Sequence, residues 1–120
     1  MSTLKVSNIQ ATGETASRAV SGVAAAALHF SQVTNTTINS YNISSVTDNS
    51  TGENNIYFTN AFSAADYMST ATVNTGSNNN TTFSNNNLFT ASGIEIQCSD
   101  ADSSVTGDYP YSALFHGDLA

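Results

Sequence analysis

The groups in this sequence that could move protons, attack carbonyls or hold metals are His29, His116, Cys98 and nine carboxylates. A Ser-His-Asp set would need a histidine as base, beside a serine raised on a turn such as Gly-x-Ser-x-Gly. Neither histidine lies in such a motif, and each sits next to apolar residues, in Ala27-Leu28-His29-Phe30 and in Leu114-Phe115-His116. Facing copies of either one at a symmetry axis would be the arrangement that binds a metal or responds to pH. Asp100, Asp102 and Asp108 cluster, with Glu95 just ahead of them. Carboxylates on a loop can hold Ca²⁺, but this spacing lacks the Asp-x-Asp-x-Asp-Gly pattern, and a solvated acidic loop is expected. The single Cys98 rules out an internal disulfide and a Cys-based zinc cluster. Within Ile94-Glu95-Ile96-Gln97-Cys98 it reads as a small buried residue. No enzymatic activity, cofactor or metal is expected.

Charged residues make up only 9% of the chain, against about 25% in ordinary globular domains. Its only basic side chains are Lys5 and Arg18, and the net charge is −7. That balance argues against nucleic acid or an anionic membrane as partner. No stretch approaches the roughly 20 apolar residues of a membrane helix. The run from Val20 to Phe30 is short and lacks the basic flank of a signal peptide, so a soluble, unprocessed chain is expected. Hydrogen bonding falls to Ser, Thr and Asn, which suit strands, turns and neutral contact surfaces. The five Asn-x-Ser/Thr sequons follow from that composition.

The elements read as all-β beyond Gly22. Strands are expected at Ala26 to Phe30, at Ser40 to Thr47, at Asn54 to Thr59 and at Tyr67 to Asn74. Thr36 to Ile38 is a further short pairing segment, and Asp48 to Glu53 a turn that closes a hairpin. Ala61 to Asp66 reads as a loop anchored by Phe62. The Asn-rich run from Thr75 to Asn87 reads as a loop, with at most Thr82-Phe83 as an edge, because asparagine disfavours both helix and strand. Leu88 to Thr90, Gly93 to Cys98 and Tyr111 to Phe115 are strands, and Ser99 to Pro110 is an acidic, turn-rich excursion. The expectation is a small antiparallel β-sandwich of about seven short strands with an extended N-terminal arm. A short helix around Glu14 to Ala25 competes, but Ser21-Gly22 interrupts it.

Three stretches carry a resemblance. Met1-Ser2-Thr3-Leu4-Lys5-Val6-Ser7-Asn8-Ile9-Gln10 resembles the opening of short tail-fibre-like proteins of marine bacteriophages, including cyanophages. Ser40 to Asn49, followed by Thr51-Gly52 and Ile56 to Ala61, is similar to a hairpin pattern of those proteins, and Ala65-Asp66-Tyr67 to a motif after it. Phe115-His116-Gly117-Asp118-Leu119-Ala120 looks like their terminal strand and tail. The sequence departs from the pattern between Thr75 and Asn87, between Ser99 and Tyr109, and at Ala27-Leu28-His29, where the family often has a tryptophan. The resemblance implies a non-catalytic phage virion protein, commonly trimeric.

Together these readings give a 1–22 attachment arm and a 23–120 β-sandwich domain. The arm is expected to join another virion protein by strand addition, with Leu4, Val6 and Ile9 as anchors. A thin sandwich gains from burying surface against its own copies, so a homotrimer on the phage particle surface is expected, as a tail-fibre-like or capsid-appendage knob. The alternative is a host-surface adhesin that binds a glycan through loops 75–87 and 99–109. Its contacts would be Asn78, Asn79, Asn80, Asn86, Asp102, Tyr109 and Tyr111. A small hydrolase would require a cleft that holds a histidine beside a nucleophile.

Overall fold

Alternation of large apolar with small or polar side chains sets the strands, and burial follows it residue by residue. In a computed structural model of the chain, backbone is described for residues 8–9, 18–19, 24–74, 80–100 and 105–120, and side chains for 24–74, 87–100 and 105–120. In β3 (Ala24–Ser31) Ala26, Leu28 and Phe30 are buried, and Ala27 and His29 point the other way. In β6 (Glu53–Phe58) Asn54, Ile56 and Phe58 are buried, and in β10 (Pro110–His116) Tyr111, Ala113 and Phe115. This period of two is what a sheet with one face in a core requires.

Eight strands form two four-stranded antiparallel sheets. Sheet I has the order β4 (Thr36–Tyr41), β3, β10, β7 (Met68–Val73), and sheet II the order β5 (Ile43–Ser50), β6, β9 (Gly93–Asp100), β8 (Asn80–Thr90). Hairpins β3-β4, β5-β6 and β8-β9 stay within a sheet, and the other connections cross between sheets. The inner faces meet in one core, where Ala26, Leu28, Phe30, Tyr111, Ala113 and Phe115 of sheet I face Ile56, Phe58, Ile94, Ile96 and Cys98 of sheet II. The β6–β7 crossing adds Phe62 and Tyr67 to it. Phe58 meets Phe62, Tyr67 and Phe115 edge-on at centroid distances of 4.9, 5.5 and 5.2 Å, the geometry that ring quadrupoles favour. The Tyr67 hydroxyl donates to the Gly93 carbonyl at 3.1 Å, which ties the crossing to β9.

Two expected elements differ. The strand from Ser40 to Thr47 is two strands, broken at Asn42, whose φ is 56°. Asparagine tolerates this left-handed backbone, and its side chain holds the corner. Asn42 Nδ2 donates to the carbonyls of Ala25 and Asn60, both at 3.1 Å, and its Oδ1 accepts from Asn60 N at 2.8 Å. The second difference is β8, which runs as strand from Asn80 through the Asn-rich stretch expected to be loop. Its partner β9 supplies a ladder of backbone hydrogen bonds, and pairing of this kind overrides residue propensity. The ladder slips between Asn85 and Phe89. A third small ladder pairs β1 (Asn8–Ile9) with β2 (Arg18–Ala19). Of the arm anchors, Ile9 is in β1, and Leu4 and Val6 lie outside the described residues.

Candidate functional site

The outer face of sheet I is built from the positions that its core alternation leaves over. Cross-strand register lines up Tyr41, Ala27, Leu114 and Thr70 in one row, and Asn39, His29, Ser112 and Thr72 in the next. His116 pairs with Met68 further along. Tyr41 is 64% exposed, Leu114 46% and Met68 71%. Between β4, β3 and β10 lies a shallow depression of ≈ 210 Å³, lined by Ala27, His29, Tyr41, Ser112 and Leu114 among others. None of the described carboxylates stands on β3, β4, β7 or β10.

Sheet II presents the opposite chemistry. Its outward positions are Glu53 and Asn55 on β6 and Glu95 and Gln97 on β9, paired as Glu53 with Gln97 and Asn55 with Glu95. Glu95 is only 4% exposed. Its Oε2 accepts from Asn49 Nδ2 at 3.3 Å and its Oε1 from Asn87 Nδ2 at 3.4 Å. A carboxylate leaves water at tolerable cost only when its oxygens are hydrogen-bonded in this way. Glu53 accepts from Ser50 Oγ at 2.7 Å and from Gln97 Nε2, and Asn55 Nδ2 donates to Asn49 Oδ1 at 3.3 Å.

At one end of the sandwich the acidic excursion is joined to the β5–β6 turn. Asp108 Oδ1 accepts from Gly52 N at 2.7 Å, and Gly52 O accepts from Cys98 N at 2.7 Å. Gly52 has φ 77°, and a Cβ there would lie 2.6 Å from Cys98 O and 2.8 Å from Gly107 N, so glycine is required. Cys98 is buried and free. Burial, with the Asp108 charge second, pushes its thiol up to about 12. Burial likewise pushes the Tyr67 hydroxyl up to about 12, and raises that of Tyr111, with Cys98 a second cause.

The remaining expected site residues are placed as follows. Tyr111, expected as an exposed contact, is fully buried, because it takes an inward position of β10 with its ring 5.9 Å from that of Phe30. Tyr109 is half-buried, with its backbone N–H donated to Gln32 Oε1 at 3.0 Å. Asn80 and Asn86 belong to β8 and not to a loop. Asn78, Asn79 and Asp102 lie outside the described residues. His116 shares a shallow depression of ≈ 280 Å³ with Ser63, Asp66, Met68 and Asp118. No hydrogen bond joins its ring to that serine or to either carboxylate among the described residues, so the depression holds no assembled nucleophile–base pair there. No group of three or more His, Cys, Asp or Glu side chains positioned to hold a metal occurs among the described residues.

The two outer faces were not singled out from sequence, yet both leave a trace in it. Three consecutive apolar residues in one strand, Ala113-Leu114-Phe115, force the middle one outward. The alternation Ile94-Glu95-Ile96-Gln97 puts the carboxylate and the amide on the same outer face. The chain matches no protein-family model, no curated protein and no solved structure.

Proposed function

We propose that the chain is a non-enzymatic structural protein of a phage virion. It is a tail-fibre-like or capsid-appendage knob that works as a homotrimer and is attached through residues 1–22. One observation carries this reading: three of the carboxylates, a tyrosine hydroxyl and the cysteine serve as braces or filling of the sandwich. Glu95 fastens Asn49 and Asn87 across three strands, Glu53 holds Ser50 and Gln97, and Asp108 caps the turn at Gly52. Tyr67 clamps a crossing connection, and Cys98 fills the core. Spending carboxylates on amides and backbone N–H groups suits a rigid module that presents surfaces.

The test has two parts. Light scattering on the purified full chain is expected to give three chain masses at micromolar concentration. Antibodies against it are expected to decorate intact particles at one defined location. A monomer that persists at every concentration would remove the trimer, and particles that do not carry the chain would remove the virion role.

A further inference from the structure

Resting on the homo-oligomeric reading, we propose that copies of this chain meet through the outer face of sheet I, centred on the row Tyr41, Ala27, Leu114 and Thr70. The occupant of that face is the margin of the same face on a neighbouring copy, a heterologous contact of the kind that closes a three-membered ring. Charge decides this. The chain carries −7, so copies repel unless they approach where carboxylates are absent. The seven described carboxylates are Asp48, Glu53, Asp66, Glu95, Asp100, Asp108 and Asp118, and all stand on sheet II or on connecting and terminal segments. The outer face of sheet II carries two of them and would bring like charges together, which costs several kcal/mol.

The side chains on the sheet I face fit the same conclusion. Tyr41, Leu114 and Met68 are large apolar groups left exposed on positions where Thr or Ser would serve an isolated sheet. Their neighbour Ala27 is small, and Thr70, Thr72, Ser112 and Asn39 supply neutral hydrogen-bonding groups. One exposed tyrosine and one exposed leucine beside small residues, with no carboxylate among them, match the composition of an interface centre. At its far end, Asp66 and Asp118 flank Met68 and His116, and they mark where the neutral surface stops.

The experiment compares the wild-type chain with Leu114→Glu by light scattering and by dilution, with circular dichroism to confirm the β-fold. The expected result is a folded variant whose assembly is weakened about a hundredfold, the effect of a buried like-charge contact. The control Thr47→Glu, on exposed β5 of the other sheet, is expected to keep the wild-type mass. Folded Leu114→Glu at the wild-type mass would overturn the assignment of this face and leave the oligomer intact. A monomeric wild type would instead overturn the oligomeric reading itself. Should Leu114→Glu fail to fold, Leu114→Cys decides. Cys98 is buried and silent, so a short bismaleimide is expected to link copies through position 114, and absence of linkage overturns the proposal.

Discussion

The two sheets share one core and turn opposite faces to the solvent. The outer face of sheet I is neutral and carries exposed Tyr41, Leu114 and Met68 without a network of its own. That of sheet II carries Glu53 and Glu95 in a lattice of amide hydrogen bonds. The difference teaches that a chain with few charges can still pattern them sharply. Sheet II hydrogen-bonds both of its outward carboxylates internally, though Asn54 Oδ1 and Asn55 Oδ1 are left without a partner among the described residues, and sheet I leaves its apolar groups for something else to cover.

Four outcomes would break or sharpen that contrast. The largest concerns what the faces have in common. Phe58→Ala removes the ring that touches Phe62, Tyr67 and Phe115, and is expected to cost about 3–5 kcal/mol in urea unfolding. Loss should be seen by one cooperative transition, since separate transitions for the two sheets would mean separate cores. Next, Glu95→Ala removes the charged acceptor of two amide hydrogen bonds, from Asn49 and Asn87, and is expected to cost about 2–3 kcal/mol. Leu114→Ala, measured at dilution where copies are apart, should cost within about 0.5 kcal/mol. Equal costs would erase the distinction between a braced face and an uncovered one.

The third outcome tests the corner between the sheets. Asn42→Ala loses four hydrogen bonds and keeps a left-handed backbone, for an expected cost of about 1–2 kcal/mol in the same assay. The smallest effect is alkaline. The Cys98 thiol and the Tyr67 hydroxyl, pushed up to about 12, are neutral in the folded chain and ionise more easily once unfolded. Stability should therefore be constant up to the ordinary thiol range near pH 8.5 and fall as pH climbs toward 12, by about 1 kcal/mol at pH 9.5. A urea midpoint unchanged between pH 7 and 9.5 would show that Cys98 is not sealed in the core.

Much of the sandwich was legible because its signal is periodic. Leu28 and Phe30, the turn before Glu53, Phe62 as anchor and Cys98 as core residue all followed from alternation or turn chemistry. What escaped depended on partners distant in sequence. Asn80 to Asn87 has the composition of a loop and becomes strand only because β9 lies alongside. Tyr111 looked exposed beside Pro110, but inward register against β3 buried it. The corner at Asn42 hid within an unbroken β-rich run, since nothing local announces a change of sheet. Glu95 read as part of an acidic cluster, although its neighbours in space are asparagines 46 and 8 positions away.

The acidic excursion closes on itself at its base. Ser99 bridges Thr106, Asp100 N donates to Val105 O at 2.9 Å, and Gly107 N donates to Cys98 O at 3.2 Å. These contacts hold the end of β9 against Val105, Thr106 and Gly107, so the last residues of the strand keep their place through local backbone pairing. The Gly52 turn, which bonds both Cys98 and Asp108, is tied to the same neck, so a change of register in one would have to unseat the other.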